Sequence, residues 1–199
     1  MKSIVYKNSF ILPSCDEREI LRYAGVRSGG EDVLPLLSEC LSLSGGVISP
    51  AAAYVTLPLF CDGDTLSFGG ITVTSKSLRE HLADASHVIL FCATVGHGID
   101  RSIRRYAAFS PARAHMLDAI GTERVEALCD ALCEVLAAEG ACEGKTLSSR
   151  FSPGYGDLPL SLQKDIIRLL DTPRRLGVTL TESLLMTPTK SVTALVGVR

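Results

Sequence analysis

The residues best equipped for chemistry sit together in Arg150-Phe151-Ser152-Pro153-Gly154-Tyr155, which continues as Gly156-Asp157-Leu158-Pro159. Arg150 brings a planar fork of donors that suits a carboxylate. Tyr155 brings a ring face that attracts a cation and a hydroxyl that hydrogen-bonds. Pro153 fixes its own φ and pushes Ser152 toward extended backbone. Gly154 accepts φ values that other residues avoid and lets a ligand lie against bare main chain. Such a set fits a small molecule with a carboxylate, a positive centre and a flat base. The plain alternative is a rigid loop between two elements, with Arg150 tied to a neighbouring carbonyl.

Other candidates are weaker. Gly96-His97-Gly98 leads into a helix, where free N–H groups can hold an anion, but the dinucleotide and P-loop spacings are absent and a strand-to-helix turn explains it. Cys129 and Cys133 stand four apart on a helix, a spacing that can serve a metal, yet no other Cys or His pair supports them and packing explains them better. None of His81, His87, His97 and His115 falls in a metal or triad spacing, and there is no Gly-x-Ser-x-Gly elbow. No catalytic residue and no metal ligand is predicted.

The elements that must carry the loop follow from periodicity. Residues 1–12 read as a short strand. Ser14 and Glu17 have capping-box spacing for a helix from Cys15 to Gly25, and a second helix spans 31–43 with Pro35 in its first turns. Residues 53–60 read as a strand whose Pro58 marks an edge or an end. A turn at 62–64, a strand with Leu66 and Phe68 on one face, a Gly69-Gly70 hairpin and the alternating 71–74 follow. Ser77 and Glu80 suggest a short helix to Leu82. The apolar run 87–95 reads as a buried central strand. Arg101, Arg104 and Arg105 share a helix face, either solvated or aimed at an acidic partner.

The longest helix is expected over 111–139, with Met116, Ile120, Val125, Leu128, Leu132 and Val135 facing inward. Gly121 interrupts it, marking either a close approach or a break. After the loop come a helix capped by Ser161, a short turn or helix at 171–177 and a final strand over 191–198. Glu182 reads as a polar floor to the site or as a sheet-edge residue.

Composition excludes several classes. The chain has 199 residues, 46% hydrophobic and 21% charged, with a net charge of −2. That is an ordinary globular balance with nothing of a general nucleic-acid binder. No apolar run approaches the ~20 residues that span a bilayer, and Met1 to Tyr6 lacks a signal-peptide core. Seven scattered cysteines, an odd number without a framework, read as reduced thiols in a cytoplasmic protein.

Arg150-x-x-x-Gly154-Tyr155 with its proline-punctuated turn resembles the reactivation domain of cobalamin-dependent methionine synthase. The resemblance continues at similar spacing through Gly177, Leu180-Thr181-Glu182-Ser183, Met186-Thr187-Pro188 and Ser191-Val192-Thr193. It covers 150–193 and extends back to about Gly121, where Glu126-Ala127-Leu128-Cys129-Asp130-Ala131-Leu132 is similar to the family's Glu-Ala-Phe-Ala-Glu-x-Leu.

The resemblance implies an α+β fold, a twisted and mainly antiparallel sheet flanked by helices. It implies one activation-domain-like unit over 1–199; within it the two short helices of 1–47 form either an N-terminal arm that packs on the main body or on a partner, or a simple cover over one end of the sheet. It implies S-adenosylmethionine as ligand, which carries the three features named above. Arg150 would bind the carboxylate, Glu126 the amino end, and Ser152, Gly154 and Tyr155 would line the site, Ser152 through its backbone. For Glu126 the alternative is an exposed helix carboxylate. Family members present the methyl group for reductive methylation of cob(II)alamin, with an electron from a flavodoxin-type donor. Cobalamin would come with the partner, the cobalamin-binding part of methionine synthase or another corrinoid protein, because no Asp-x-His-x-x-Gly motif occurs here. The protein would then be a component of methionine synthase activity, with no nucleic-acid or membrane partner.

This sequence departs from the family at three places. Ser152 stands where alanine is usual, a family aspartate near the domain start has no equivalent, and Ala194-Leu195-Val196 replaces Trp-Tyr-Phe. A compact stand-alone version is expected. The alternative is a docking subunit of a corrinoid methyltransferase that keeps the fold without using the ligand.

Overall fold

The computed structural model describes residues 4–7, 10–26 and 30–199. Strand β1 (Val5–Lys7) precedes helix α1 (Glu17–Tyr23) and helix α2 (Leu34–Ser44), which is entered through a 3-10 turn at Gly30–Val33. Then come β2 (Ala51–Pro58), the meander β3 (Phe60–Asp62), β4 (Thr65–Phe68) and β5 (Ile71–Thr74), and helix α3 (Lys76–His81). Central strand β6 (His87–Thr94) leads into α4 (His97–Ala107) and the long α5 (Pro111–Cys142). After the loop follow α6 (Leu162–Leu170), α7 (Thr172–Leu176), the hairpin β7 (Thr179–Leu180) and β8 (Met186–Thr187), and β9 (Ser191–Val198).

The main sheet has the order β1-β2-β6-β9, and every pair in it is antiparallel. The fold is therefore the expected α+β arrangement. Strand β6 reads as an unbroken apolar run because both of its faces are covered. Ile89, Phe91 and Ala93 join one core with Met116, Leu117, Ile120 and Leu128 of α5. Val88, Leu90 and Cys92 join a second core with Phe68 of β4 and Ile166 and Leu170 of α6. The two-residue period of the strand thus divides the interior into an α5 side and an α6 side. Helices α1, α2 and α4 all pack on α5. Pro58 pairs with His87 at the end of β2, where a missing donor costs little.

Several expectations are corrected in detail. Only Val5–Lys7 is strand at the N-terminus. Residues 1–3, 8 and 9 of the predicted strand lie outside the described residues, and Phe10 and Leu12 pack on the core without joining the ladder. Asp16, not Ser14, caps α1, accepting from the backbone of Arg18 (3.0 Å) and Glu19 (3.2 Å). Ser75, not Ser77, caps α3 through the Leu78 N–H at 3.1 Å. In both helices the cap is the polar side chain two or three residues before the first free N–H groups. Val135 is 37% exposed and Leu136 takes the core position instead, because the apolar stripe steps by four residues from Leu132.

Gly121 marks a close approach and no break: α5 runs through it. A Cβ there would lie 2.9 Å from Lys190 Cγ and 3.2 Å from Ile99 Cγ1. Arg101, Arg104 and Arg105 are exposed.

Candidate functional site

Segment 146–151 runs along the outer edge of β9. Phe151 and Leu195 exchange backbone hydrogen bonds of 2.9 and 2.8 Å, and the Ser148 N–H donates to the Gly197 carbonyl at 2.9 Å. This pairing covers the sheet edge and fixes where Arg150 emerges. Phe151 packs with the α6-side core. Its neighbour Arg150 reaches the other way, to α5. There Nη1 donates to Glu126 Oε2 at 3.0 Å and Nη2 to Asp130 Oδ1 at 2.8 Å. Glu126 and Asp130 lie four apart on one helix face, so one guanidinium spans both. The Arg150 pKa feels partial burial, which lowers it, but Cys129, Glu126 and Asp130 outweigh this and raise it.

Beyond Phe151 the chain leaves the sheet edge as a tight loop. The Tyr155 N–H donates to the Ser152 carbonyl (3.1 Å) and the Gly154 N–H to the Leu158 carbonyl (2.9 Å). Gly154 has φ +95°, which other residues rarely adopt. The Tyr155 ring stands edge-on to Phe151, with centroids 6.1 Å apart and an interplanar angle of 81°, and the residue is 61% exposed.

Asp157 anchors the loop. One of its oxygens accepts from Ser75 Oγ (2.6 Å) and the Ser77 N–H (3.1 Å), the other from the Lys76 N–H (2.8 Å). The Ser75 hydroxyl above all, then the α3 backbone N–H groups, hold its carboxyl well below the usual carboxylate range.

Where the loop turns away, a cavity of about 400 Å³ opens, within the ~300–1,000 Å³ range of small-molecule sites. Glu126, Arg150, Ser152 and Tyr155 all line it. Gly154 is not part of its wall. The structure thus brings four of the five predicted residues to one hollow and places the fifth within the loop that shapes it.

Further wall residues include Gln163 of α6, which was not singled out from sequence, and Met186 of β8 and Thr193 of β9, which entered only through the motifs that carry the resemblance and not as site residues. Gln163 and Thr193 are buried, and Gln163 Oε1 and Thr193 Oγ1 have no hydrogen-bond partner. Glu182 is exposed in the turn between β7 and β8, away from the wall, so it is no floor to the site.

The segment carrying Met186 and Thr193 is pinned from behind. Asp100 accepts from the Thr189 N–H (2.8 Å) and hydroxyl (2.7 Å), and Lys190 bonds Thr122 (2.9 Å) and pairs with Asp118 (2.8 Å). The Lys190 stem lies in the space left open by Gly121.

The remaining candidates lie outside the wall of this hollow. His97 Nε2 lies 3.2 Å from the Gly177 carbonyl oxygen, and a Cβ on Gly98 would sit 2.0 Å from the Val47 carbonyl oxygen. Cys129 is buried, and desolvation drives its thiol pKa up. Among the described residues no group of three or more His, Cys, Asp and Glu is arranged to hold a metal ion.

Residues 74–198 match the family model described as vitamin B12 dependent methionine synthase, activation domain. The chain belongs to this family. The matched region holds the whole α5, loop and β9 arrangement, while α1 and α2 of this activation domain lie before it. Among solved structures, the fold is similar to a crystal structure of the MetH reactivation domain bound to AdoHcy, with TM-score 0.69 and 17% identity. The alignment covers 98% of this chain and 78% of that one. A search of curated proteins gave no match. No helix among the described residues is long and apolar enough to cross a membrane.

Proposed function

We propose that this activation domain binds S-adenosylmethionine at the Arg150 cavity and presents it for reductive methylation of cob(II)alamin on a methionine synthase or related corrinoid protein. The observation that carries this reading is the convergence of Arg150, Glu126 and Tyr155 on one hollow in a chain of this family. The similar MetH domain holding AdoHcy supports it.

The residues present fit the ligand. Arg150 offers the fork for its carboxylate, and Glu126 a carboxylate for its ammonium. With no ligand the two satisfy each other, so binding exchanges one set of charged hydrogen bonds for another. Ser152 and Gly154 set the loop that frames the site, and the exposed Tyr155 ring offers a face to the positive sulfur. Arg150, Glu126 and Asp130 sum to one negative charge, which complements the net positive charge of S-adenosylmethionine. The ligand supplies the methyl group and the corrinoid supplies the accepting metal centre. This chain's own part is to bind, orient and expose the methyl donor, and none of its residues acts as a catalyst.

On this reading residues 1–199 form one activation-domain-like unit. Helices α1 and α2 of the 1–47 arm pack on α5 and put Ile20, Leu37 and Cys40 into the same core, which supports its being part of that unit. The corrinoid partner carries the cobalamin, and a flavodoxin-type protein supplies the electron.

Calorimetric titration with S-adenosylmethionine tests the reading. Wild type should bind, and Arg150→Ala should lose at least about tenfold in affinity, as expected for a charged hydrogen bond pair worth about 1.5–3 kcal/mol. Absence of binding both alone and with a cobalamin-loaded partner would leave the chain as a docking subunit.

A further inference from the structure

The cavity crosses the edge of the main sheet, and its two ends differ chemically. On the α5 side stand the charged groups of Arg150 and Glu126. On the α6 side stand Gln163 and Thr193. The face of Thr193 follows from β9 itself. Leu195 belongs to the α6-side core while Ala194 and Val196 belong to the α5-side core, and Thr193, two residues before Leu195, shares its face.

Gln163 and Thr193 are 7% and 2% exposed, yet Gln163 Oε1 and Thr193 Oγ1 lack partners. Buried polar groups are nearly always satisfied, because an unmade hydrogen bond in the interior is costly. Two such atoms in one cavity wall, on different elements, mark a place prepared for an outside partner. Neither group is charged. Gln163 Oε1 accepts, and the Thr193 hydroxyl donates or accepts.

The backbone adds to this end. Leu195 and Gly197 bond outward to segment 146–151. Thr193, in phase with them, directs its N–H and C=O to the same side, where the loop has turned away.

Resting on the S-adenosylmethionine reading, we infer that Gln163 and Thr193 bind the nucleoside half of the ligand and are its specificity-determining residues. The amino-acid half is satisfied by charge on the α5 side. What remains of such a ligand is neutral and rich in hydrogen-bonding groups, a ribose diol and an aminopurine edge, and an uncharged amide with a hydroxyl answers that chemistry. The ligand then lies across the sheet edge, with its sulfur between the two ends.

The test uses Gln163→Met and Thr193→Val, which keep the shape and remove the hydrogen bonds. S-adenosylmethionine and 5′-methylthioadenosine, which lacks the amino-acid group, are titrated into wild type, both variants and Arg150→Ala. Each shape-preserving variant should lose about tenfold for both ligands, one good hydrogen bond being worth about that factor. Arg150→Ala should lose affinity for S-adenosylmethionine and keep that for 5′-methylthioadenosine. The melting temperatures of Gln163→Met and Thr193→Val should stay level or rise, since each variant removes an unmet buried group.

Unchanged S-adenosylmethionine affinity in both variants overturns this inference and leaves the Arg150 reading standing. So does a loss of S-adenosylmethionine affinity without loss of 5′-methylthioadenosine affinity, or a wild type that takes the first ligand and refuses the second. A lowered melting temperature assigns the two residues to structure instead. A wild type that binds no S-adenosylmethionine overturns the functional reading, and this inference with it.

Discussion

Arg150 and Glu126 meet across the edge of the sheet, Nη1 to Oε2 at 3.0 Å, although one stands in a loop and the other on a helix 24 residues earlier. The side chains are 25% and 40% exposed. A pair so open to water adds about 1 kcal/mol at most to stability. On the proposed reading, the pair is a site for a zwitterion rather than a structural clasp.

The first prediction follows from that exposure. Glu126→Gln should change the melting temperature of the free protein little, and should weaken S-adenosylmethionine binding by about tenfold, the loss of one charge-assisted hydrogen bond. Thermal melts and calorimetry on the same samples separate the two effects. A large fall in melting temperature with unchanged affinity would return Glu126 and Arg150 to a structural role.

Asp157 sets a pH dependence. Its folded pKa lies below its unfolded value, so it contributes stability that is present above about pH 4, the ordinary carboxylate range, and is lost as pH falls through the folded value. Asp157→Asn keeps the shape and removes the charge. Urea midpoints measured from pH 7 down to pH 2 should show wild type the more stable at neutral pH, with the gap closing in acid. A gap that stays constant over that range would mean the Ser75 and α3 contacts do not depend on the carboxylate charge.

Much of this was legible in the chain. Strand β9 was placed at its observed ends as the closing strand of the resemblance, and β6 because a strand covered on both faces is apolar throughout. Arg150, Ser152 and Tyr155 stood out because a turn rich in Pro and Gly makes poor packing material. Gln163 did not, and Thr193 stood out only within the Ser191-Val192-Thr193 motif, not as a site residue. Glutamine on an amphipathic helix and threonine on a strand are commonplace, and only the tertiary fold shows that their polar atoms are buried without partners. Asp157 was likewise hidden, since its partners lie about 80 residues earlier in α3. Ser14 and Ser77 misled because capping-box spacing recurs by chance, and the backbone geometry chose Asp16 and Ser75.

Gly121 offers a test of packing behind the site. In an open helix Gly→Ala would stabilise by about 1 kcal/mol. Here the new methyl meets Lys190 Cγ at 2.9 Å, near the fixed end of that side chain. Gly121→Ala should therefore destabilise, by about 1–3 kcal/mol in urea denaturation, as overpacking does. It should also weaken S-adenosylmethionine binding, because Lys190 lies three residues from Thr193. A gain in stability would show that the Lys190 stem shifts freely and that the segment 188–193 is not braced there.

The last prediction concerns the N-terminal segment. Glu123 and Arg124 are neighbours on α5, only 6% and 5% exposed, and hydrogen-bonded to each other. Arg124 also donates to the Pro13 carbonyl at 2.7 Å and the Ser14 carbonyl at 3.3 Å, and Glu123 accepts from the Asp16 N–H at 3.2 Å. These bonds fasten residues 13–16, and with them the start of α1, to the long helix. Removing one charge leaves the other buried and unmatched, which costs about 3–5 kcal/mol. Glu123→Leu should show that loss in urea denaturation. Adding Arg124→Met should recover much of it, since an apolar pair of similar volume avoids the desolvation. The recovery will be incomplete by the value of the bonds to residues 13, 14 and 16, about 1 kcal/mol each. A double variant no more stable than Glu123→Leu would mean that the tether to the N-terminal segment, and not charge pairing, carries the stabilisation. Proteolysis near residues 10–16 in the double variant then reads directly whether that segment has come loose.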